Sequence, residues 1–216
     1  MKFPLFVSCG YPSYEEAGVK WEDLEYKAWR LVKVIKGETV KGYTVFGQHR
    51  VESTTAGRDS ALTLAGNDAI SKLTKAGFSG ALVPIPSSGH VDFDSSFTGR
   101  LLTDKIASLS AQFTSHPVLR FDSDIGKAAG GGGTRSPVVI ARHLDIIPDC
   151  PLNECILVDD VATSGGHLRG AANFLADRGI TVVAAYCVAQ TVWTRPPHLF
   201  RIDATEIDST PDWFDF

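Results

Sequence analysis

The stretch Ile156-Leu-Val-Asp-Asp-Val-Ala-Thr-Ser-Gly-Gly-His-Leu168 decides how the rest of this chain is read. The apolar run 155–158 predicts a buried strand, ended by two adjacent carboxylates, Asp159 and Asp160. Small residues follow: Ala162, Thr163, Ser164, Gly165 and Gly166 let backbone N–H groups come close to a ligand. An amphipathic helix comes next, with Leu168, Ala171, Ala172, Leu175 and Ala176 on one face. A strand, an acidic pair, a small-residue loop and a helix N-terminus together suit a phosphorylated sugar. The loop and helix dipole take the phosphate, and the carboxylates accept hydrogen bonds from sugar hydroxyls. The plain alternative is an Asp-Asp pair that merely ends a strand and caps a helix.

Working outward, the same alternation recurs. Apolar positions 21, 24, 28, 31, 32 and 35 predict a helix that Gly37 stops. Residues 41–51 suggest a short strand or hairpin. A helix starting near Asp59 runs to Gly77 on Leu62, Ala65, Ala69 and Leu73. The short strand 81–85 leads into Pro86-Ser-Ser-Gly-His90, a second small-residue loop. A helix between Phe97 and Phe113, a brief strand at 118–121, order resuming at 138–144, and a β-branched strand at 180–188 complete the series. Residues 1–20 read as an irregular arm. Strands alternating with helices imply an α/β fold, a mainly parallel sheet flanked by helices. Ligands bind such sheets beyond the carboxyl ends of the strands, at the switch point. Both small-residue loops leave strands at that edge, so they predict one shared site.

The segment 156–168 resembles the phosphoribosyl-pyrophosphate (PRPP) signature of type I phosphoribosyltransferases: a hydrophobic strand, Asp-Asp or Glu-Asp, Thr-Thr-Gly and a closing Thr. The resemblance implies that fold, with a small hood from the terminal segments. It divides the chain into 1–55 (arm, helix and hood element), a core at 56–192 and an aromatic tail at 193–216, all in one compact domain. It gives Asp159 and Asp160 to the ribose hydroxyls and Ala162 to His167 to the 5′-phosphate. His167 stands where the family usually has Thr or Ser. Ser87, Ser88, Gly89, His90 and Arg100 fall where the family grips pyrophosphate. The Val83-Pro-Ile-Pro86 run and the helix near Arg100 are similar to the competence-associated ComF-like branch, whose cysteine module is absent here. The glycine-rich segment 126–136 corresponds to a loop that closes over PRPP, bringing Lys127 and Arg135 to the leaving group. The implied cofactor is magnesium with PRPP, held by Asp159 and Asp160 directly or through water. The implied partners are the phosphorylated sugar and a base or amine acceptor, and dimers are frequent in such proteins. The implied reaction is transfer of ribose 5-phosphate to nitrogen with release of pyrophosphate. A PRPP- or nucleotide-binding regulator, or a phosphorylase-like cleavage, would use the same site.

Bulk properties narrow the field. At 216 residues the chain can bury a core without staples. Its net charge of −4 gives no broad attraction to nucleic acid or anionic membrane. The cysteines at 9, 150, 155 and 187 form no Cys-x-x-Cys pair, which fits a reducing cytoplasm rather than a zinc or disulfide framework. No apolar run reaches a membrane span, and no signal-peptide pattern is present. His90 and His167 lie in the candidate loops, where an imidazole can donate to phosphate or shuttle a proton. For His90 a solvated loop position is an equal alternative. The rings of Trp193, Phe200, Trp213, Phe214 and Phe216 either cover an acceptor or pack on the domain edge.

Overall fold

The computed structural model describes residues 1–14, 18–126 and 136–210. Its centre is a six-stranded sheet built from β1 (Lys2–Pro12), β4 (Gly80–Pro84), β5 (Phe113–Ser115), β8 (Glu154–Ala162), β9 (Thr181–Val192) and β10 (Thr205–Asp208). The spatial order is β10-β1-β9-β8-β4-β5. All neighbours are parallel except β10, which pairs antiparallel with β1 at the edge. The mainly parallel α/β sheet that the strand–helix alternation predicts is therefore present.

Helices cover both faces, as burial of a parallel sheet requires. On one face, α1 (Asp23–Ile35), α2 (Thr55–Lys75) and α3 (Thr98–Leu109) pack over residues such as Leu82, Ile156, Val158 and Tyr186. On the other, α4 (Pro137–His143) and α5 (Gly166–Ala176) pack over Val83, Leu157, Ala185 and Cys187. The hairpin of β6 (Leu119–Phe121) and β7 (Leu144–Ile146) joins this second layer. A separate hairpin, β2 (Thr44–Phe46) with β3 (His49–Val51), fills the region where a short hairpin is predicted.

Local chemistry explains the boundaries. Glu22 and Glu25 form a reciprocal capping box that starts α1. Glu25 is buried, where it accepts the Tyr14 hydroxyl at 2.7 Å and pairs with Arg195 at 2.7 Å. Helix α2 begins a turn before Asp59 because the Thr54 hydroxyl accepts the Gly57 N–H at 3.0 Å.

The irregular arm predicted for residues 1–20 is corrected by β1, an inner strand of the sheet. Pro4, Gly10 and Pro12 signal turns in the sequence, yet Phe3, Leu5, Val7 and Cys9 are all buried. Pro4 is tolerated because β1 pairs with β9 only from Leu5 onward. The four cysteines are free thiols. Among the described residues no helix is long and apolar enough to cross a membrane.

The N-terminal and C-terminal segments meet at one side of the sheet. Phe46 of the β2–β3 hairpin stands edge-on to Phe200 at 5.4 Å between ring centroids. The Leu199 carbonyl accepts the Gly10 N–H at 2.8 Å, and a Cβ at Gly10 would stand 2.9 Å from the Leu199 side chain. Trp193 is largely exposed, and Trp213, Phe214 and Phe216 lie outside the described residues.

Candidate functional site

The switch point lies between β4 and β8. From β4 the chain crosses by α3 to β5; from β8 it crosses by α5, on the opposite face, to β9. Pairing of β4 with β8 ends at Pro84–Val158, with one last hydrogen bond from the Ile85 N–H to the Val158 carbonyl at 2.9 Å. Strand β8 nevertheless continues to Ala162 alongside β9, with Ala162 opposite Gln190. A crevice therefore opens where one strand turns away and its neighbour runs on, the place where parallel α/β sheets bind ligands. Both small-residue loops border it.

Asp159 and Asp160 lie within β8 rather than after it. The prediction that the strand ends at Val158 is corrected: pairing to β9 carries it through the acidic pair, because polar side chains are tolerated at the open edge of the crevice. Successive strand residues face opposite ways. Asp160 thus shares the side of Ile156 and Val158, toward α1, while Asp159 shares the side of Cys155 and Leu157. The Asp160 N–H donates to Asp159 Oδ1 at 2.7 Å. Burial, and then the Asp160 charge, push the Asp159 carboxyl well above the usual carboxylate range, against that hydrogen bond and the Lys36 charge.

Lys36 stands beside the acidic pair, a neighbour that no pattern in the sequence singles out. Its Nζ stands 3.5 Å from Asp160 Oδ2. Burial opposes its charge, but Asp160, Asp159 and Glu38 outweigh that cost and hold its pKa above the ordinary lysine value. Helix α1 delivers it to a fixed place: Arg58 of α2 donates twice to the Ile35 carbonyl, at 3.1 and 2.9 Å. Gly37 follows at φ 77°, with the Arg58 guanidinium 3.2 Å from where a Cβ would be. A side chain there would be strained in the left-handed region and crowd that guanidinium. Only the position of a lysine near a helix end was visible in the string.

The loop after β8 turns tightly from Thr163 to the start of α5. Gly165 takes φ 73° as the N-cap, and no side chain caps the helix. Its first N–H groups therefore remain available to an anion. Thr163 and Ser164 are exposed, with the Thr163 hydroxyl 3.1 Å from that of Thr191. Arg169 folds back from the first turn to donate to the Ser164 carbonyl at 2.9 Å, fixing the loop. Burial lowers the pKa of His167, opposed by Asp160, so a neutral imidazole is favoured over the cation that would attract phosphate.

The loop after β4 is organised differently from a simple exposed turn. Ser87 and Gly89 are exposed, and the Ser87 carbonyl accepts the His90 N–H at 2.7 Å. His90 is buried, with Nδ1 2.8 Å from Ser95 Oγ and its ring 4.1 Å from that of Phe97. The solvated alternative for His90 is thereby corrected. Burial, with help from Arg100 and against Asp92, lowers its pKa. Arg100 donates to the carbonyls of Phe93, Asp94 and Ser95 at 3.2, 3.2 and 3.3 Å, so its guanidinium serves the loop. The segment 121–125 flanks this loop through Phe121 N–H to His90 and Ile125 N–H to Ser88. It sets an Asp124 oxygen 3.7 Å from where a Cβ of Gly89 would be. Lys127 and Arg135 lie outside the described residues.

Magnesium finds little free charge in this donor set. Asp160 is already paired with an ammonium group, and Asp159 is held toward its neutral form. The pair therefore fits poorly as direct ligands of a resident divalent ion. Among the described residues no group of three or more His, Cys, Asp or Glu side chains could hold a metal.

These features define a mainly parallel α/β protein whose acidic strand end and two small-residue loops lie at one edge of the sheet. No protein-family profile matches the chain, and no curated protein matches it. Solved structures do match. One is the crystal structure of orotate phosphoribosyltransferase from Aeropyrum pernix, at 17% identity and a TM-score of 0.39, covering 74% of this chain and 81% of that one. At that similarity the functional reading rests on the crevice itself.

Proposed function

We propose that this protein transfers ribose 5-phosphate from PRPP to a nitrogen acceptor and releases pyrophosphate. The observation that carries the reading is the crevice at the switch point. It brings an acidic strand end, an uncapped helix N-terminus behind a small-residue loop, and the Ser87–Gly89 turn to one edge. The 5′-phosphate would accept hydrogen bonds from the N–H groups of 164–167, and the ribose hydroxyls would donate to Asp159 and Asp160. In the reaction the bond from ribose C1 to the diphosphate oxygen breaks, a bond from C1 to nitrogen forms, and the acceptor nitrogen loses its proton. The sugar passes through an oxocarbenium-like state, as glycosyl transfers do. This chain's residues would contribute mainly by positioning. Asp124 beside Gly89 makes a bare diphosphate unwelcome, so magnesium would arrive as part of the PRPP complex and neutralise the leaving group.

The test is incubation of the protein with magnesium PRPP and a panel of purine and pyrimidine bases and ammonia, measuring pyrophosphate and the nucleotide formed. Base-dependent pyrophosphate release supports the transferase. Binding of PRPP without turnover supports a second reading, a PRPP- or nucleotide-sensing regulator of the same fold. Arg100 favours that second reading, because the guanidinium expected near the leaving group is engaged with three loop carbonyls.

A further inference from the structure

We infer that Lys36 is the built-in cation of the Asp159–Asp160 pair, so that the pair receives a ribose without a metal ion of its own. The inference rests on the proposed reading of the crevice as a ribose 5-phosphate site. Two adjacent carboxylates at a strand end would repel a phosphorylated ligand unless their charge is offset. A resident magnesium is one solution, and this ion demands near-octahedral oxygen coordination and keeps much of its water. The structure shows another solution. The Lys36 ammonium stands 3.5 Å from Asp160 Oδ2; the Lys36 side chain is 37% exposed and that of Asp160 is half-buried, at 21%.

A surface lysine in such a pair would mean little. Lys36 differs because its backbone is held from two sides, by the double hydrogen bond of Arg58 to Ile35 and by the left-handed Gly37. An ammonium and a magnesium ion cannot both approach the same carboxylate oxygen without mutual repulsion. Lys36 acts here as a positioning residue: it pairs with Asp160, adds its charge to the field at Asp159, and leaves the ligand to the two acids.

The test is calorimetric titration of ribose 5-phosphate into the wild type, Lys36→Arg and Lys36→Met, each in EDTA and in magnesium. The wild type is expected to bind equally in both buffers. Lys36→Met should weaken binding by about tenfold in EDTA, the ratio corresponding to ~1.4 kcal/mol, and regain it in magnesium. Lys36→Arg, which keeps the charge, should bind like the wild type. Thermal unfolding of each variant separates this pattern from loss of fold. Wild-type binding that disappears in EDTA, or Lys36→Met binding equal to wild type in EDTA, overturns the inference while leaving the proposed site standing. A wild type that binds ribose 5-phosphate in neither buffer removes the site, and the inference with it.

Discussion

Replacing both acids, Asp159→Asn with Asp160→Asn, separates what the pair does for binding from what it costs the fold. In the proposed complex Asp160 accepts a sugar hydroxyl in a charge-assisted hydrogen bond, ~1.5–3 kcal/mol, while Asp159, held toward its neutral form, accepts one in an ordinary bond of ~0.5–1.5 kcal/mol. Together these give about 2–4.5 kcal/mol; adjacent groups couple and an asparagine oxygen still accepts a hydroxyl, so the loss falls at or below the lower end. Affinity for PRPP and ribose 5-phosphate should fall about tenfold to thirtyfold. Stability should move the other way. The Asp159 carboxyl is raised in the folded state, so its contribution is full below the unfolded carboxylate pKa of about 4. It is lost as pH rises through the higher folded value. The wild type therefore loses stability over this window relative to the variant, which has no acid at 159 to ionise. In the variant an amide oxygen at position 159 can still accept the backbone N–H of residue 160, the bond that Asp159 accepts at 2.7 Å. Calorimetry gives the affinities, and thermal unfolding from acid to mildly alkaline pH gives the stabilities. Ligand affinity within about threefold of wild type, a difference of under ~1 kcal/mol, would refute the ribose assignment. A variant that loses stability over this window as steeply as the wild type would refute the account of Asp159.

Three further outcomes are expected. His167→Thr should keep or improve phosphate affinity, because a hydroxyl replaces an imidazole that burial holds toward neutrality; a large loss in the same titration would give His167 a role of its own. Gly165→Ala should cost about 1–2 kcal/mol, since its φ of 73° is left-handed and the new methyl would stand 3.3 Å from Ile207. Thermal unfolding reads that loss, and weaker ribose 5-phosphate binding should accompany it. Tyr186→Phe should cost about 1–3 kcal/mol by leaving buried polar groups without their partner. Its hydroxyl donates to the Ala65 carbonyl at 2.8 Å and lies 2.6 Å from Ser8 Oγ. The urea midpoint should fall with an unchanged slope.

What could be read from the string was whatever is local. The 156–168 run holds its strand, acids, loop and helix in consecutive residues, so the elements it forms are legible before any folding. The alternation of strands and helices placed both loops at one edge for the same reason. Three features resisted. Strand β1 was masked by Pro4, Gly10 and Pro12, whose turn signals outweighed apolar residues buried on both faces. The acidic pair looked like a strand end because polarity marks exposure, while β9 in fact pairs with β8 as far as Ala162. Lys36 and Arg58 carry no motif: they meet Asp160 and Ile35 only through the packing of α1 and α2, across separations that no short pattern spans. Arg100 shows the reverse case, an expected ligand residue whose guanidinium is engaged by the carbonyls of its own preceding loop.

The most direct test is calorimetric titration of PRPP into the purified protein, with and without magnesium. The account predicts saturable one-to-one binding that magnesium strengthens, because the ion accompanies the diphosphate past Asp124. Absence of binding in both buffers would contradict it, leaving the acidic strand end and the uncapped helix as architecture without this ligand.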